Sequence, residues 1–388
     1  MVHHKLMSGE SERAGQPLRP HEARYLDYLS FWARFIVRRR KPLVIGITGS
    51  VGKTTTREIV AAVLKAASAV PGVGVTWATP RNMNNNFGVP LTLLGYRHWR
   101  PRRDLETLRG LTIPFRALRK ATRGAYPDIL VLEFAAGPTS DTERTVALAP
   151  PDIGIVTAIG PAHLDTFGTL EKIAEVKGAV VRAVPPSGLV ILGADNALAS
   201  EMDRYAKAPV VKVPGKGQAF AEAAARVIAD RLGIPADLAD RALAERGQIR
   251  GRQEVIRVGE GTVMNDSFNA NPLSMEHGLE TLAERARPGQ RRVAVMGHMA
   301  EIGPDGPQYH RDMAPVARRC ADLVVGVGEL ARLYEPDLWF GTSKECADAV
   351  ASFAQPGDYV LVKGSHSSHL GIVVNAVQRQ LKGESARA

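Results

Sequence analysis

The stretch "LVIGITGSVGKTTTREIVAAVLK" (43–65) decides the fold. Its first six residues, rich in Leu, Val and Ile, read as a buried strand; a glycine-punctuated turn follows and opens a helix with Ile59, Val60, Val63 and Leu64 on its apolar face. Strand, glycine loop, Lys, Thr and helix are what a phosphate-binding loop requires. The backbone N–H groups of Gly49, Ser50, Val51 and Gly52 and the first helical turn, Lys53, Thr54 and Thr55, face an anion at a helix N-terminus. Lys53 reaches terminal phosphates and Thr54 offers its hydroxyl to Mg²⁺. The usual pattern places glycine at 47, where Ile stands, and here the glycines fall at 46, 49 and 52. The loop by itself leaves kinases, GTPases, motor ATPases and ligases open.

On either side of this loop the pattern is α/β. The runs "DILVLE" (128–133), "DIGIVTAI" (152–159) and "LVILGAD" (189–195) alternate with helical patterns at 171–184 and 219–232. Continuous apolar strands separated by helices argue a mostly parallel sheet covered on both faces, in a central P-loop ATPase domain over 42–248. "RGQIRGR" (246–252) reads as a hinge. Beyond it "EVIRV", "TVMND", "RRVAVMG", "DLVVGVG" and "DYVLVKG" alternate with helices from 273, near 311–320, near 344–354 and at the end. That describes a smaller, Rossmann-like α/β domain over 249–388, without the GxGxxG that would assign it a dinucleotide. Residues 1–41 read as a disordered tail over 1–20 and a basic amphipathic helix, "YLDYLSFWARFIVRRRKP" (25–42). Tyr25, Leu29, Trp32 and Ile36 form one side of that helix and Arg38, Arg39, Arg40 and Lys41 close it. It either packs on the next domain or meets a membrane surface or protein partner.

With 45% hydrophobic and 23% charged residues the composition is that of an ordinary soluble globular protein. No run has the roughly 18 apolar residues of a spanning helix and no apolar signal core is present, so the expected compartment is the cytoplasm. Cys320 and Cys346 lack metal-ligand spacing and read as core thiols. A net charge of +10 suits nucleic acid, acidic lipid or phosphorylated small molecules; nucleic acid is the weakest, because the basic residues are dispersed and no aromatic-rich module accompanies them.

Three features accompany the loop. "TPRNMNNNFGVPLTLL" (79–94) holds four Asn in five positions, which is an elaborate turn or a binding segment. Glu133 ends one strand and His163 lies just past the next, where α/β sheets bind ligands; together they can ligate a metal or position a phosphate. Lys177 sits among Ile173, Val176, Val180, Val181 and Val184. It either snorkels to water or stays buried as a neutral, nucleophilic amine.

The order Gly-Ile-Thr-Gly-Ser-x-Gly-Lys-Thr-Thr, Asn-x-Asn-Asn-x-x-Gly-Val-Pro-Leu-Thr-Leu, Glu133 and "AHLDTFGTLEKIAEVKG" resembles the central domain of the Mur ligase superfamily. "GRQEVI" (251–256), "NDSFNANPLSM" (265–275), "VAVMGHMAEIG" (293–303) and "GDYVLVKGS" (357–365) resemble its D-alanyl-D-alanine-adding branch, so the resemblance spans 42–385. It implies an ATP- and Mg²⁺-dependent amide ligase of peptidoglycan precursor synthesis. Such an enzyme adds D-alanyl-D-alanine to a UDP-N-acetylmuramoyl-tripeptide through an acyl phosphate, with those two small molecules as partners and no nucleic acid. Carried onto this chain, the resemblance puts Lys53 on the terminal phosphates, Thr54 and Glu133 on one Mg²⁺ and His163 on a second. Arg252 meets phosphate, Asp266 the ribose, and Asn269 and Asn271 lie beside the nucleotide. Asn82, Asn85 and Lys363 fall on the substrate side. Lys177 aligns with the lysine that is carbamylated in many Mur ligases, which turns a cation into an anion able to orient Mg²⁺.

The chain departs from the family in three places. Family members usually carry an N-terminal domain for the uridine nucleotide, and here the strand before the loop starts at 43; another subunit, the remaining domains or a different substrate would answer for that. His298 stands where the branch usually shows Asp. The His and adenine-contacting Asn expected before the Ala-rich helix are missing from "GKGQAFAEAAARVIADRLG" (215–233), which leaves base contacts to main chain. Two other readings stay open: a relative acting on another carboxylate and amino acid, as in folylpolyglutamate or polyglutamate synthesis, and a nucleotide-dependent interaction protein.

Overall fold

The computed structural model describes residues 19–98, 109–137 and 141–383. The expected disorder of 1–20 falls almost wholly outside the described residues. Contacts divide the chain into two units: Met1–Ile159 with Thr166–Arg246, and Gly160–Asp165 with Gly247–Ala388.

The first unit carries six parallel strands in the order β2-β3-β1-β4-β5-β6. They are β1 (Leu43–Thr48), β2 (Thr76–Ala78), β3 (Ile129–Glu133), β4 (Ile153–Val156), β5 (Leu189–Gly193) and β6 (Val210–Val213). Among the described residues the α-helices longer than four residues are α1 (Pro20–Arg40), α2 (Lys53–Ala66), α3 (Gly88–Leu93), α4 (Arg109–Thr122), α5 (Thr142–Leu148), α6 (Leu170–Arg182), α7 (Gly217–Arg231) and α8 (Ala236–Glu245). Alternate residues of β1 point to opposite faces. Ile45 and Ile47 join α2, α7 and α8 in one core, and Val44 joins α1, α3 and α4 in the other. Burial on both faces is why β1, β3, β4 and β5 read as unbroken apolar runs.

Helix α1 begins at Pro20, five residues earlier than its apolar pattern suggests, and ends at Lys41 in the left-handed conformation ahead of Pro42. Its buried line is Leu26, Leu29, Ala33 and Ile36, whereas Tyr25 and Trp32 are only half-buried. Leu29 and Ile36 belong to both lines. The small Ala33 allows close approach to the core, and the aromatic rings flank the contact instead of filling it.

The second unit has a six-stranded sheet ordered β11-β10-β9-β12-β8-β7. Its strands are β7 (Glu254–Val258), β8 (Gly261–Asp266), β9 (Arg292–Gly297), β10 (Leu323–Val327), β11 (Leu338–Phe340) and β12 (Tyr359–Lys363). All neighbours pair in parallel except β7 and β8, which form an antiparallel edge hairpin. α9 (Pro272–Arg285) and α10 (Gly306–Cys320) pack on one face; α11 (Ser343–Asp348) and α12 (Gly371–Leu381) pack on the other. The helix expected over 344–354 is corrected to α11 plus a separate 3₁₀ turn, Val350–Ser352. Cys320 and Cys346 are buried and unbridged; burial raises both thiol pKa values, that of Cys346 to about 12. Among the described residues no helix is long and apolar enough to cross a membrane.

Candidate functional site

In the first unit everything converges on the end of β1. Gly52 holds φ 85° as the residue before α2, a conformation a side chain would strain. At Gly49 a Cβ would meet Thr157 Oγ1 at 2.0 Å, so the turn lies against the segment after β4. Ser50 N donates to Ala158 O at 2.6 Å and Thr157 N to Thr48 O at 3.1 Å, fastening the loop from the side. Ile47, where the usual pattern has glycine, is a fully buried strand residue in register with Glu133 and Ile155. The turn therefore starts after it, and the departure falls on the strand.

Glu133, at the end of β3, is the hub. It is buried, and Thr54 Oγ1 lies 3.2 and 3.1 Å from its two carboxylate oxygens. Asn84 Nδ2 donates to Oε1 at 2.8 Å, and Arg57 Nη1 stands 3.4 Å from Oε2. Lys53 Nζ donates to Gly49 O at 2.7 Å. Lys177 Nζ, from the middle of α6, donates to the same carbonyl at 3.1 Å. Lys177 is 1% exposed, so it does not snorkel. Burial first, then the neighbouring Lys53 charge, pulls its ammonium well below the usual lysine range, against the opposing pull of Glu133.

The asparagine run divides its labour. Asn85 Oδ1 accepts from the backbone of Phe87 at 3.2 Å and Gly88 at 2.8 Å, and Asn86 Oδ1 from Asp141 N at 2.8 Å. Asn82 takes the left-handed conformation, φ 59°. The member that reaches the carboxylate hub is Asn84, which the sequence reading did not single out. Its one signal was membership of the run.

In the second unit β8 and β12 bring Asp266 and Lys363 into direct register. Lys363 Nζ lies 2.6 Å from Asp266 Oδ2 and donates to Asn269 O at 3.2 Å, and it is 1% exposed. Asp266 Oδ1 also accepts from Gln253 N at 3.3 Å. Next to this pair, the Arg252 guanidinium lies 4.4 Å from the Phe268 ring centroid. Asn269 Oδ1 accepts from Ala270 N, and Asn271 caps α9 by accepting from Ser274 N at 3.0 Å. The carbonyl of Asn269 and the side chain of Asn271 are thus part of the turn that shapes this site. His163 belongs to the 160–165 segment of this unit; it has φ 57° and its Nδ1 lies 2.9 Å from Glu301 Oε2. His298 stands among Ser365, Ser367 and Ser368 at 3.0, 3.1 and 3.1 Å, and burial lowers its pKa. A neutral imidazole donates at one nitrogen and accepts at the other, which hydroxyl partners satisfy.

The hydroxyl of Thr54 and the carboxylate of Glu133 are hard oxygen donors of the kind Mg²⁺ takes, and Mg²⁺ fills its remaining positions with water and phosphate oxygens. Among the described residues no group of three or more His, Cys, Asp or Glu side chains gathers into a metal-holding cluster. A glycine turn at a helix N-terminus, ending a central parallel strand and met by a lysine, a threonine hydroxyl and a buried carboxylate, defines a P-loop nucleotide-binding protein.

Comparison with known proteins narrows the class. The Mur ligase middle domain matches residues 47–102 and 104–243, and the Mur ligase, glutamate ligase domain matches 251–366. The chain belongs to the Mur ligase family. It is 30% identical to the UDP-N-acetylmuramoyl-tripeptide--D-alanyl-D-alanine ligase of Mycobacterium tuberculosis, over 86% of this chain and 72% of that protein. The enzyme of the same name from Escherichia coli is 28% identical over 90% and 79%. Among solved structures, MurF ligase from Thermotoga maritima in complex with ADP superposes with a TM-score of 0.75 at 24% identity, covering 93% of this chain and 85% of that one. MurF from Acinetobacter baumannii gives 0.71 at 23%, covering 90% and 80%. The chain is an ATP-dependent, ADP-forming amide ligase that uses Mg²⁺.

Proposed function

We propose that this chain adds D-alanyl-D-alanine to a UDP-N-acetylmuramoyl-tripeptide in peptidoglycan precursor synthesis. The observation that carries the reading is likeness across both units to enzymes of that name, at 30% and 28% identity. In the reaction a substrate carboxylate oxygen attacks the terminal phosphorus of ATP, and the bond to ADP breaks. The amine of D-alanyl-D-alanine then attacks the acyl carbon, loses a proton, and inorganic phosphate leaves with its bonding electrons. Neither step needs a protein nucleophile; both need charge neutralised where it develops.

The chain's residues divide that work. Lys53 exchanges the Gly49 carbonyl for the terminal phosphates. Thr54 and Glu133 would hold Mg²⁺, with Asn84 and Arg57 orienting the carboxylate, and His163 would serve a second ion. When bound, Mg²⁺ would supply charge neutralisation for the transferring phosphate. Lys177, buried with its ammonium disfavoured, would take up CO₂ as a carbamate with release of a proton, replacing a cation by an anion beside the loop. In the second unit Arg252 meets phosphate and Asp266, oriented by Lys363, meets the ribose. Asn82 and Asn85 shape the substrate side of the first unit, and Asn269 and Asn271 the nucleotide side of the second. The domains of the reading are 42–248 and 249–388, the location is the cytoplasm, and α1 supplies a peripheral contact with a membrane or a partner protein.

Phosphate release from ATP, measured with the muramoyl tripeptide and D-alanyl-D-alanine together with product mass, tests the reading. Release that requires both substrates and yields the pentapeptide supports it. Turnover that ignores D-alanyl-D-alanine and responds to glutamate overturns it in favour of a polyglutamate-type ligase. Lys53→Ala is expected to abolish release while the circular dichroism spectrum stays unchanged.

A further inference from the structure

The outer faces of α1 and α4 have no part in the ligase chemistry. The helices pack on each other and are tied at their C-terminal ends, where Arg40 Nε donates to Lys120 O at 2.6 Å and the same guanidinium bonds Gly124 O. Their inner faces bury Leu26, Leu29 and Ile36 from α1, and Ile113, Ala117 and Ala121 from α4. Outward stand Phe31 at 62% exposure, Phe35 at 36%, Phe115 at 78% and Leu118 at 52%. These are four of the seven large apolar side chains exposed among the described residues, and water-facing phenylalanines on a helix pair need a reason. At 1.5 Å per residue all four lie within about 14 Å of the tie along their helices, so they cluster at the tied end of the helix pair.

Charge supplies the reason. No Asp or Glu occurs from 28 to 57 or from 109 to 127; the nearest acid on α1, Asp27, lies one turn before Phe31 and pairs with Arg144 at 2.6 Å. Arg38 and Arg39 extend α1's exposed side, and Arg119 and Arg123 continue that of α4. Bulky apolar tips on helices that also expose guanidinium groups are what an anionic bilayer surface recognises: the rings enter the headgroup boundary and the arginines meet lipid phosphate.

We infer that the α1–α4 face docks on an anionic membrane surface. The inference rests on the peripheral-contact reading of α1, and vesicle binding without ligase substrates separates its failure from failure of the ligase chemistry. The full chain is sedimented with phosphatidylcholine vesicles and with vesicles holding about a third phosphatidylglycerol. Binding is expected to the anionic vesicles alone and to weaken between about 0.1 M and 0.5 M salt. The double variant Phe31→Gln, Phe115→Gln is expected to lower vesicle affinity about tenfold, as is Arg38→Glu with Arg119→Glu, with phosphate release in solution unchanged in both. Wild-type protein that ignores anionic vesicles overturns the inference, as do variants that bind like wild type. So does analytical ultracentrifugation showing a wild-type dimer that the phenylalanine variant loses, because the patch would then serve a second copy of this chain.

Discussion

Two lysines in this molecule are buried to the same 1%, and their surroundings are opposite. Lys363 in the second unit has Asp266 at 2.6 Å, so its charge is neutralised on site. Lys177 in the first has the Gly49 carbonyl at 3.1 Å, the ammonium of Lys53 close enough to repel it, and only the shared, heavily engaged Glu133 to favour its charge. Burial alone does not decide what a lysine does; the partner does. A paired lysine is architecture that fixes an aspartate, whereas an unneutralised one is driven toward the free amine and becomes available for chemistry.

The comparison can be broken by removing each ammonium while keeping its stem. Lys363→Met leaves Asp266 buried without its cation and is expected to lose about 3–5 kcal/mol in urea denaturation, with Asp266→Asn in the same chain recovering most of it. Lys177→Met removes a charge that burial opposes, so stability should equal or exceed wild type; an equal loss in both variants would erase the distinction. Activity should divide the other way. Lys177→Met is expected to lower turnover about 100-fold, and short carboxylates such as acetate should restore part of it, as the proposed carbamate on Lys177 requires. Full turnover in the untreated variant would remove Lys177 from the mechanism.

A smaller effect sharpens the sign. The folded pKa of Lys177 lies below the unfolded value of about 10.4, so between the two the unfolded chain holds the extra proton and stability rises with pH. In metal-free, CO₂-depleted buffer, wild type should gain up to about 1.4 kcal/mol per pH unit over Lys177→Met inside that window. Below the depressed folded pKa the difference levels off. A flat difference between neutral and alkaline pH would show that the ammonium is accommodated in the fold.

The parallel cores were legible because a strand buried on both faces must be apolar at every position, as in "LVIGIT" and "DILVLE". The edges were not. Thr76–Ala78, Val210–Val213 and Leu338–Phe340 are three- or four-residue strands, largely half-exposed, too short to show a period. Helix α4 was missed because Pro114 interrupts its interior, a residue that ordinarily ends a helix. At the site, Lys53, Thr54, Glu133 and Lys177 could be named from the strand-loop-helix grammar and the family resemblance. Asn84 could not, since which of four clustered asparagines turns toward Glu133 depends on the backbone of the turn. The line of α1 was misjudged for a related reason: aromatic size drew Tyr25 and Trp32 into the stripe, while packing favoured Leu26 and Ala33.

Both cysteines of the chain, Cys320 and Cys346, lie in the core of the second unit with their thiols held protonated. Thiolate-directed reagents therefore meet a silent background. A cysteine introduced at the outward position 31 would be the single reactive handle on the molecule. A fluorophore placed there would report polarity at the α1–α4 face during turnover, with no native residue to remove first.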